Sequence, residues 1–244
     1  MRKTTLLTFF AGFFLSSCTH YYYVPATQNI PLFKEKNEAR VLAAYGGGSE
    51  SSAVELQAAY SLTNNLAVMT NFISARGGNL SAENWGKGNY AEGAVGYYKP
   101  FDSAGVFEVF GGVGAGSQQH RYATANYFST SRLGFTKLFI QPSLGLTFRG
   151  FDVAFSTRVC NLNFWQVRNQ IDPTNSNYLV VNDISQARNS VLLEPAITIR
   201  GGWKYVKLQL QFLTSSNLTN RNLAFEKVYG SAGIYFTLAK RYKQ

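Results

Sequence analysis

The chain has 244 residues and a formal net charge of +10, yet charged residues make up only 15 % of it and aromatic residues another 15 %. Typical soluble domains carry about 25 % charge, so a wholly solvated exterior is disfavoured. The basic residues are scattered among strands and loops with no run of five or more, which sets nucleic-acid binding aside and leaves anionic membrane headgroups as the better match for the positive excess.

In chain order, Met1-Arg2-Lys3 is a charged start, followed by a short apolar run, Thr4 to Leu15, with Leu6, Leu7, Phe9, Phe10, Phe13 and Phe14. It is too short for a membrane-spanning helix, which needs about 20 residues, and has the layout of a secretory signal. It ends in Leu15-Ser16-Ser17-Cys18, which resembles a bacterial lipobox. The resemblance implies diacylglycerol on the Cys18 sulfur, cleavage after residue 17 and acylation of the new amine, hence stable anchoring by several acyl chains. With Cys18 so used, Cys160 has no disulfide partner. No acidic cluster follows Cys18. In lipoproteins resembling those of the Bacteroidota such a cluster implies surface export, so the anchor is expected in the periplasmic leaflet. Residues 18–37 are expected to be a periplasmic linker, with Tyr21-Tyr22-Tyr23 at the interface or under the barrel. Pro25 and Pro31 argue against a helix or a central strand there.

From residue 38 onward apolar residues alternate with polar or small ones, a period of two that marks strands with two different faces. The runs are 39–45, 53–62, 66–74, 89–98, 106–117, 133–148, 151–161, 190–200, 203–213 and 227–238. In the clearest, Val206, Leu208, Leu210 and Phe212 share one face and Lys207, Gln209 and Gln211 the other. Short turns at Leu62-Thr63-Asn64-Asn65, Pro100 to Ala104, Arg149-Gly150 and Gly201-Gly202 alternate with longer connections near 75–88, 118–132, 162–189 and 214–226. All the short turns therefore fall at one end, together with both termini. This predicts an all-β, antiparallel up-and-down transmembrane barrel over 38–244, with about ten strands and eight as the alternative.

Alternation does not say which face is outside, because a lipocalin-like barrel turns its apolar face inward. Small residues on the other face (Ala59, Ala94, Gly96, Gly112, Gly114, Ala154, Ser156) suit a narrow interior. Aromatic residues near strand ends (Tyr97, Tyr98, Phe101, Phe148, Phe151 and Trp203 at the short turns; Phe72, Trp85, Tyr90, Phe164, Trp165 and Phe225 at the long loops) resemble interfacial girdles. Ser231-Ala232-Gly233-Ile234-Tyr235-Phe236-Thr237-Leu238 resembles the terminal signal read by the barrel-assembly machinery, although Ala239 to Gln244 follow it.

With the apolar face outward, Arg40, Glu55, Glu92, Glu108, Lys137, Asp152, Arg158, Glu194, Arg200 and Lys207 point into the lumen. Both signs are present, and unpaired buried charge is costly, so mutual pairing in a side-chain-filled lumen is expected; a path for small polar or anionic solutes is the alternative.

Motifs for chemistry are sparse. His20 lies beside the proposed anchor, and His120 reads as a solvated loop histidine without a nucleophile or acid at triad spacing. The glycines of 111–116 lack the ending of a phosphate loop and read as relief in a crowded strand. Cys160 reads as a small inward residue, and no Cys/His cluster suggests zinc. No catalytic residue, cofactor or metal is expected. The long loops, with Tyr122, Tyr127, Phe128 and the 163–189 stretch, read as ordinary surface loops, with an unknown surface ligand as the alternative.

Residues 38–240 resemble small Gram-negative outer-membrane barrels of the OmpA/OmpW type, here preceded by a lipoprotein signal. The resemblance implies outer-membrane lipids and the lipoprotein-export and barrel-assembly machineries as partners, periplasmic termini, surface loops and a non-enzymatic structural or surface-interaction role. A narrow pore, a tethered lipocalin-like binding barrel and a lipid-modifying enzyme are the rival expectations.

Overall fold

The computed structural model describes residues 20–79, 84–123, 128–219 and 223–240. Cys18 and the signal lie outside the described residues. The strands are β1 (Ala39–Gly47), β2 (Ser51–Ser61), β3 (Leu66–Asn79), β4 (Asn84–Phe101), β5 (Gly105–Ala123), β6 (Phe128–Thr147), β7 (Phe151–Gln170), β8 (Asn189–Gly202), β9 (Val206–Thr214), the two-residue β10 (Ser216–Asn217) and β11 (Val228–Leu238), with one helix, α1 (Ser176–Gln186). Each wall strand pairs antiparallel with the next. The sheet closes where β1 meets β11, from Ala39↔Leu238 to Gly47↔Gly230. The result is a closed up-and-down barrel of ten wall strands, β10 being a short continuation of β9 that returns to β8.

Closure satisfies the backbone of every wall strand and leaves no open edge. The turns supply what closure needs locally. Asp102 takes φ 54° in the β4–β5 turn, a left-handed conformation that Asp tolerates. Gly202 takes φ 150°, where an added Cβ would stand 2.7 Å from the Val206 carbonyl oxygen.

The apolar face is outside. Leu138, Ile140, Leu144 and Leu146 on β6 are exposed, as are Leu208, Leu210 and Phe212 on β9 and Val54 and Leu56 on β2. This is the reverse of a lipocalin-like interior. The band starts at the short turns and runs from Phe148 back to Leu138 on β6 and from Phe151 to Val159 on β7, about the 9–11 residues a tilted strand needs to cross a bilayer. Tyr97, Phe101, Phe148, Phe151 and Trp203 stand outward at the short-turn rim; Phe72, Trp165 and Tyr45 stand outward toward the other end. Tyr90, Tyr98, Phe164 and Phe225, expected in the girdles, are buried instead.

Three further expectations are corrected. Much of 75–88 and 118–132, and all of 162–170, is strand rather than loop, because β3 to β7 continue past the apolar band. Outward positions there, such as Arg76, Arg132 and Gln170, meet water and carry no apolar alternation to reveal the strand. The 162–189 connection also holds α1, whose Asn175 caps its first turn through the Asn177 N–H and whose Val181 and Ile184 are buried. The largest correction concerns residues 20–37: they do not form a linker outside the barrel but run through its lumen, with Tyr22, Tyr23, Ala26, Thr27, Gln28 and Phe33 fully buried. His20 therefore stands at the long-loop end, against His120 and Tyr122, while β11 ends at the short-turn end.

A cation on the outward face tests its solvent. Leu210→Arg, near the middle of the band, is expected to cost about 2–4 kcal/mol in a bilayer. Urea unfolding of the vesicle-inserted barrel measures this, and a cost near zero would mean that this face meets water.

Candidate functional site

Residues 20–38 enter the lumen at the long-loop mouth. Tyr22 donates its backbone N–H to the Ala224 carbonyl (2.8 Å), and Glu226 donates its own to the Tyr23 carbonyl (3.0 Å), so the segment before β11 folds over this entrance. The Tyr22 and Tyr122 hydroxyls meet at 2.8 Å. The path leaves at the short turns, where the Lys34 ammonium donates to the Ser103 carbonyl and the Lys36 N–H donates to Asn64 Oδ1 (3.3 Å).

Inside, the segment pairs with no wall strand, so side chains serve its peptide groups. Gln211 acts as a local substitute for a strand. Its Oε1 accepts from the Gln28 N–H (2.6 Å), and its Nε2 donates to the Gln28 carbonyl (2.9 Å). Gln57 donates to the Thr27 carbonyl and Gln141 to the Asn29 carbonyl, each at 2.8 Å. Arg200 Nη2 donates to the Ile30 carbonyl (2.7 Å). Both Arg40 Nε (3.0 Å) and the Tyr235 hydroxyl (3.1 Å) donate to the Pro31 carbonyl. The prolines fit this arrangement because they lack an N–H that would need an acceptor. Leu32 turns the path with φ 52°, a conformation costing a bulky residue about 1–2 kcal/mol, and the next N–H, of Phe33, then reaches Glu108 Oε1 (3.0 Å).

All the charged residues expected in the lumen are buried. Glu92 accepts from Lys137 (2.8 Å) and Asn71 (2.8 Å) and lies 3.3 Å from Arg158, whose guanidinium also grips Gln141 Oε1 (3.0 and 2.7 Å). Asp152 accepts from Lys207 (2.6 Å) and Thr147 (2.6 Å) and lies 3.8 Å from Arg200. Arg40 pairs with Glu38. The remaining carboxylates turn to the plug. Glu55 accepts from the Thr27 N–H (3.0 Å), the Thr27 hydroxyl (2.9 Å) and Tyr229 (2.6 Å), and Glu194 accepts from Tyr23 (2.8 Å). Charge pairing between nearby strands inside the lumen is thus half of the arrangement, and capture of the plug is the other half.

Sequence reasoning missed the plug, and although it put Gln57, Gln141 and Gln211 on the lumen face, it gave them no role in holding one. One signal was present: residues 20–33 contain no charged residue, no glycine and no serine, unlike an exposed linker, and include Tyr22, Tyr23, Ile30, Leu32 and Phe33. The inward glycines make room for bulk. A Cβ on Gly116 would stand 2.3 Å from Tyr90 Cβ, and one on Gly145 would stand 2.7 Å from Leu32 of the plug.

His120 is buried on β5 rather than solvated in a loop, and it lies 5.7 Å from His20 between ring centroids. Burial holds the His20 imidazole below its ordinary pKa. Beside this pair, a cavity of about 1180 Å³ opens at the long-loop mouth, lined in part by His20, Tyr21, Ser51, Gln118 and His120. Among the described residues no group of three or more His, Cys, Asp or Glu is placed to hold a metal ion. Cys160 is a buried free thiol.

No protein-family model matches the sequence, and no curated protein matches it. Solved structures resemble the fold. The translocator domain of the autotransporter NalP from Neisseria meningitidis is 8 % identical, with a TM-score of 0.51 over 83 % of this chain and 87 % of that one. The KdgM porin (9 % identity, TM-score 0.41, 82 % of this chain and 99 % of that one) and the NanC porin (11 %, 0.40, 82 % and 100 %) are looser matches. Closure, the outward apolar band and the polar interior define a β-barrel of the outer-membrane type.

Asp152→Asn leaves Lys207 and Arg200 buried against a neutral amide and is expected to lower stability by about 3–5 kcal/mol. Unfolding in urea, followed by tryptophan fluorescence, reads the loss. A change under about 1 kcal/mol would mean that the pair is solvated and does not hold the interior together.

Proposed function

We propose that the protein is a lipid-anchored outer-membrane barrel with a non-enzymatic structural or surface-interaction role, held shut by its own amino-terminal segment. The observation that carries this reading is the occupied lumen: the plug crosses it from mouth to mouth and is bound at Thr27, Gln28, Asn29 and Phe33 by most of the wall. A polar solute path requires this segment to leave, which exposes Glu55, Glu108 and Gln211 without their partners. The outward apolar band supports the membrane location.

Short turns on the periplasmic side and long connections at the cell surface follow the usual layout of such barrels. In that orientation the plug enters from the surface mouth. With His20 at that mouth, this orientation is the opposite of the periplasmic anchoring expected for Cys18, and the Tyr21→Cys labelling decides between them.

Two measurements test the reading. In planar bilayers the full chain is expected to show no steady conductance, whereas deletion of residues 20–33 opens discrete channels while heat-modifiable gel mobility shows that the barrel still closes. Discrete conductance from the intact chain would sink the closure. On intact cells, Tyr21→Cys is expected to react with a membrane-impermeant maleimide, the buried Cys160 remaining silent; labelling only after outer-membrane permeabilisation would reverse the orientation.

A further inference from the structure

The outer wall carries a row of cations that no carboxylate among the described residues neutralises. On the extensions of β3 to β7, strand register aligns Arg76↔Lys87, Lys87↔Gln119, Gln119↔Arg132 and Arg132↔Arg168. Directly paired residues of an antiparallel sheet point to the same face. Arg76, Lys87, Arg132 and Arg168 are all exposed on the outside, with Gln119 half-exposed between them. Lys87 is held 4.8 Å over the Trp85 ring. Like charges placed directly opposite one another repel, so Arg76/Lys87 and Arg132/Arg168 each destabilise the bare wall. An anion seated between the members of each pair removes that cost.

Spacing selects the anion. Strands lie about 4.8 Å apart, so the centres of the two pairs, three strand spacings from one another, are about 14 Å apart across the sheet. The amide of Gln119 lies between them as a donor and acceptor. Toward the short turns, the same outward face becomes small and then apolar. Ala91, Gly93, Gly111 and Ala115 leave a shallow trough, with an added Cβ on Gly93 or Gly111 meeting nothing closer than 3.9 Å, and Val95, Val113 and Leu138 flank it. Phosphate chemistry thus lies above hydrocarbon chemistry on a single stretch of wall.

We propose that this row binds the headgroup of an outer-leaflet glycolipid that carries two phosphates on a disaccharide, one phosphate at each cation pair, with the acyl chains laid along the trough. The assignment of this lipid to the outer leaflet rests on the surface orientation of the long connections; the binding chemistry does not.

The full chain in detergent, mixed with bisphosphorylated lipid A, tests the proposal by native mass spectrometry. Wild type is expected to retain one lipid. R76Q/K87Q and R132Q/R168Q are each expected to weaken retention about tenfold or more, since each removes two cation–phosphate contacts. Neutralising Lys99, Arg149 and Lys204 at the short-turn end is expected to leave retention unchanged, and phosphate-free lipid A is expected to be lost from wild type. Both pair variants should keep heat-modifiable mobility and unfold no earlier than wild type in lipid-free detergent, because they relieve repulsion. Retention unchanged in both pair variants, or equal retention of phosphatidylglycerol by wild type, would overturn the proposal whichever way the barrel faces.

Discussion

A peptide segment inside a closed barrel has no neighbouring strand, yet its N–H and C=O groups have left water and must still be bonded. That constraint organises the interior. Long polar side chains on the wall meet the segment at successive depths: Glu55 and Gln57 near Thr27, Gln211 at Gln28, Gln141 at Asn29, Arg200 at Ile30, Arg40 and Tyr235 at Pro31, and Glu108 at Phe33. Uncharged glutamines matter as much as the ions, because each offers a donor and an acceptor together. Gln211 uses both on a single residue of the plug.

The charges follow from the same constraint. Two compact groups form, Glu92 with Lys137 and Arg158, and Asp152 with Lys207 and Arg200. One group joins β4, β6 and β7 and the other joins β7, β8 and β9, so each ties together strands one to three places apart along the wall. Arg158 also grips Gln141, which in turn holds the Asn29 carbonyl, and Arg200 reaches Ile30 directly. Ion pairs and plug therefore form one bonded network. Such a network is favourable only when complete, since low dielectric raises the cost of every member left unpaired.

The two faces of the wall obey different solvents. Near the short turns the outward face is apolar on every side, as a bilayer interior requires. Toward the long connections, β3 to β7 continue upward, and their outward residues turn from Phe72, Val95, Val113 and Leu138 to Ser74, Asn89, Ser117 and Thr136, and then to the cation row. Aromatic residues split between these roles: Trp203 and Phe148 mark the rim, while Tyr90, Tyr98 and Phe164 fill space inside. Position near a strand end did not separate the two groups. Parity along the strand did, because it fixes the face.

The sequence by itself determined the wall: a period of two is a local property, and one residue's neighbours along the chain already show which face it takes. Hence the strands of the apolar band and the inward set from Arg40 to Lys207 were legible, whereas the expected long connections near 75–88 and 118–132 are mostly strand. The tertiary structure alone decided what fills the interior. Residues 20–37 have no periodicity, and their burial depends on side chains contributed by strands from β1 to β11, which only closure brings within reach. It likewise decided that His20 and His120, far apart in sequence, share one wall of the mouth, and that Arg76, Lys87, Arg132 and Arg168 form a row. Proximity of that kind is set by register and by chain closure, and neither is written in any local window of residues.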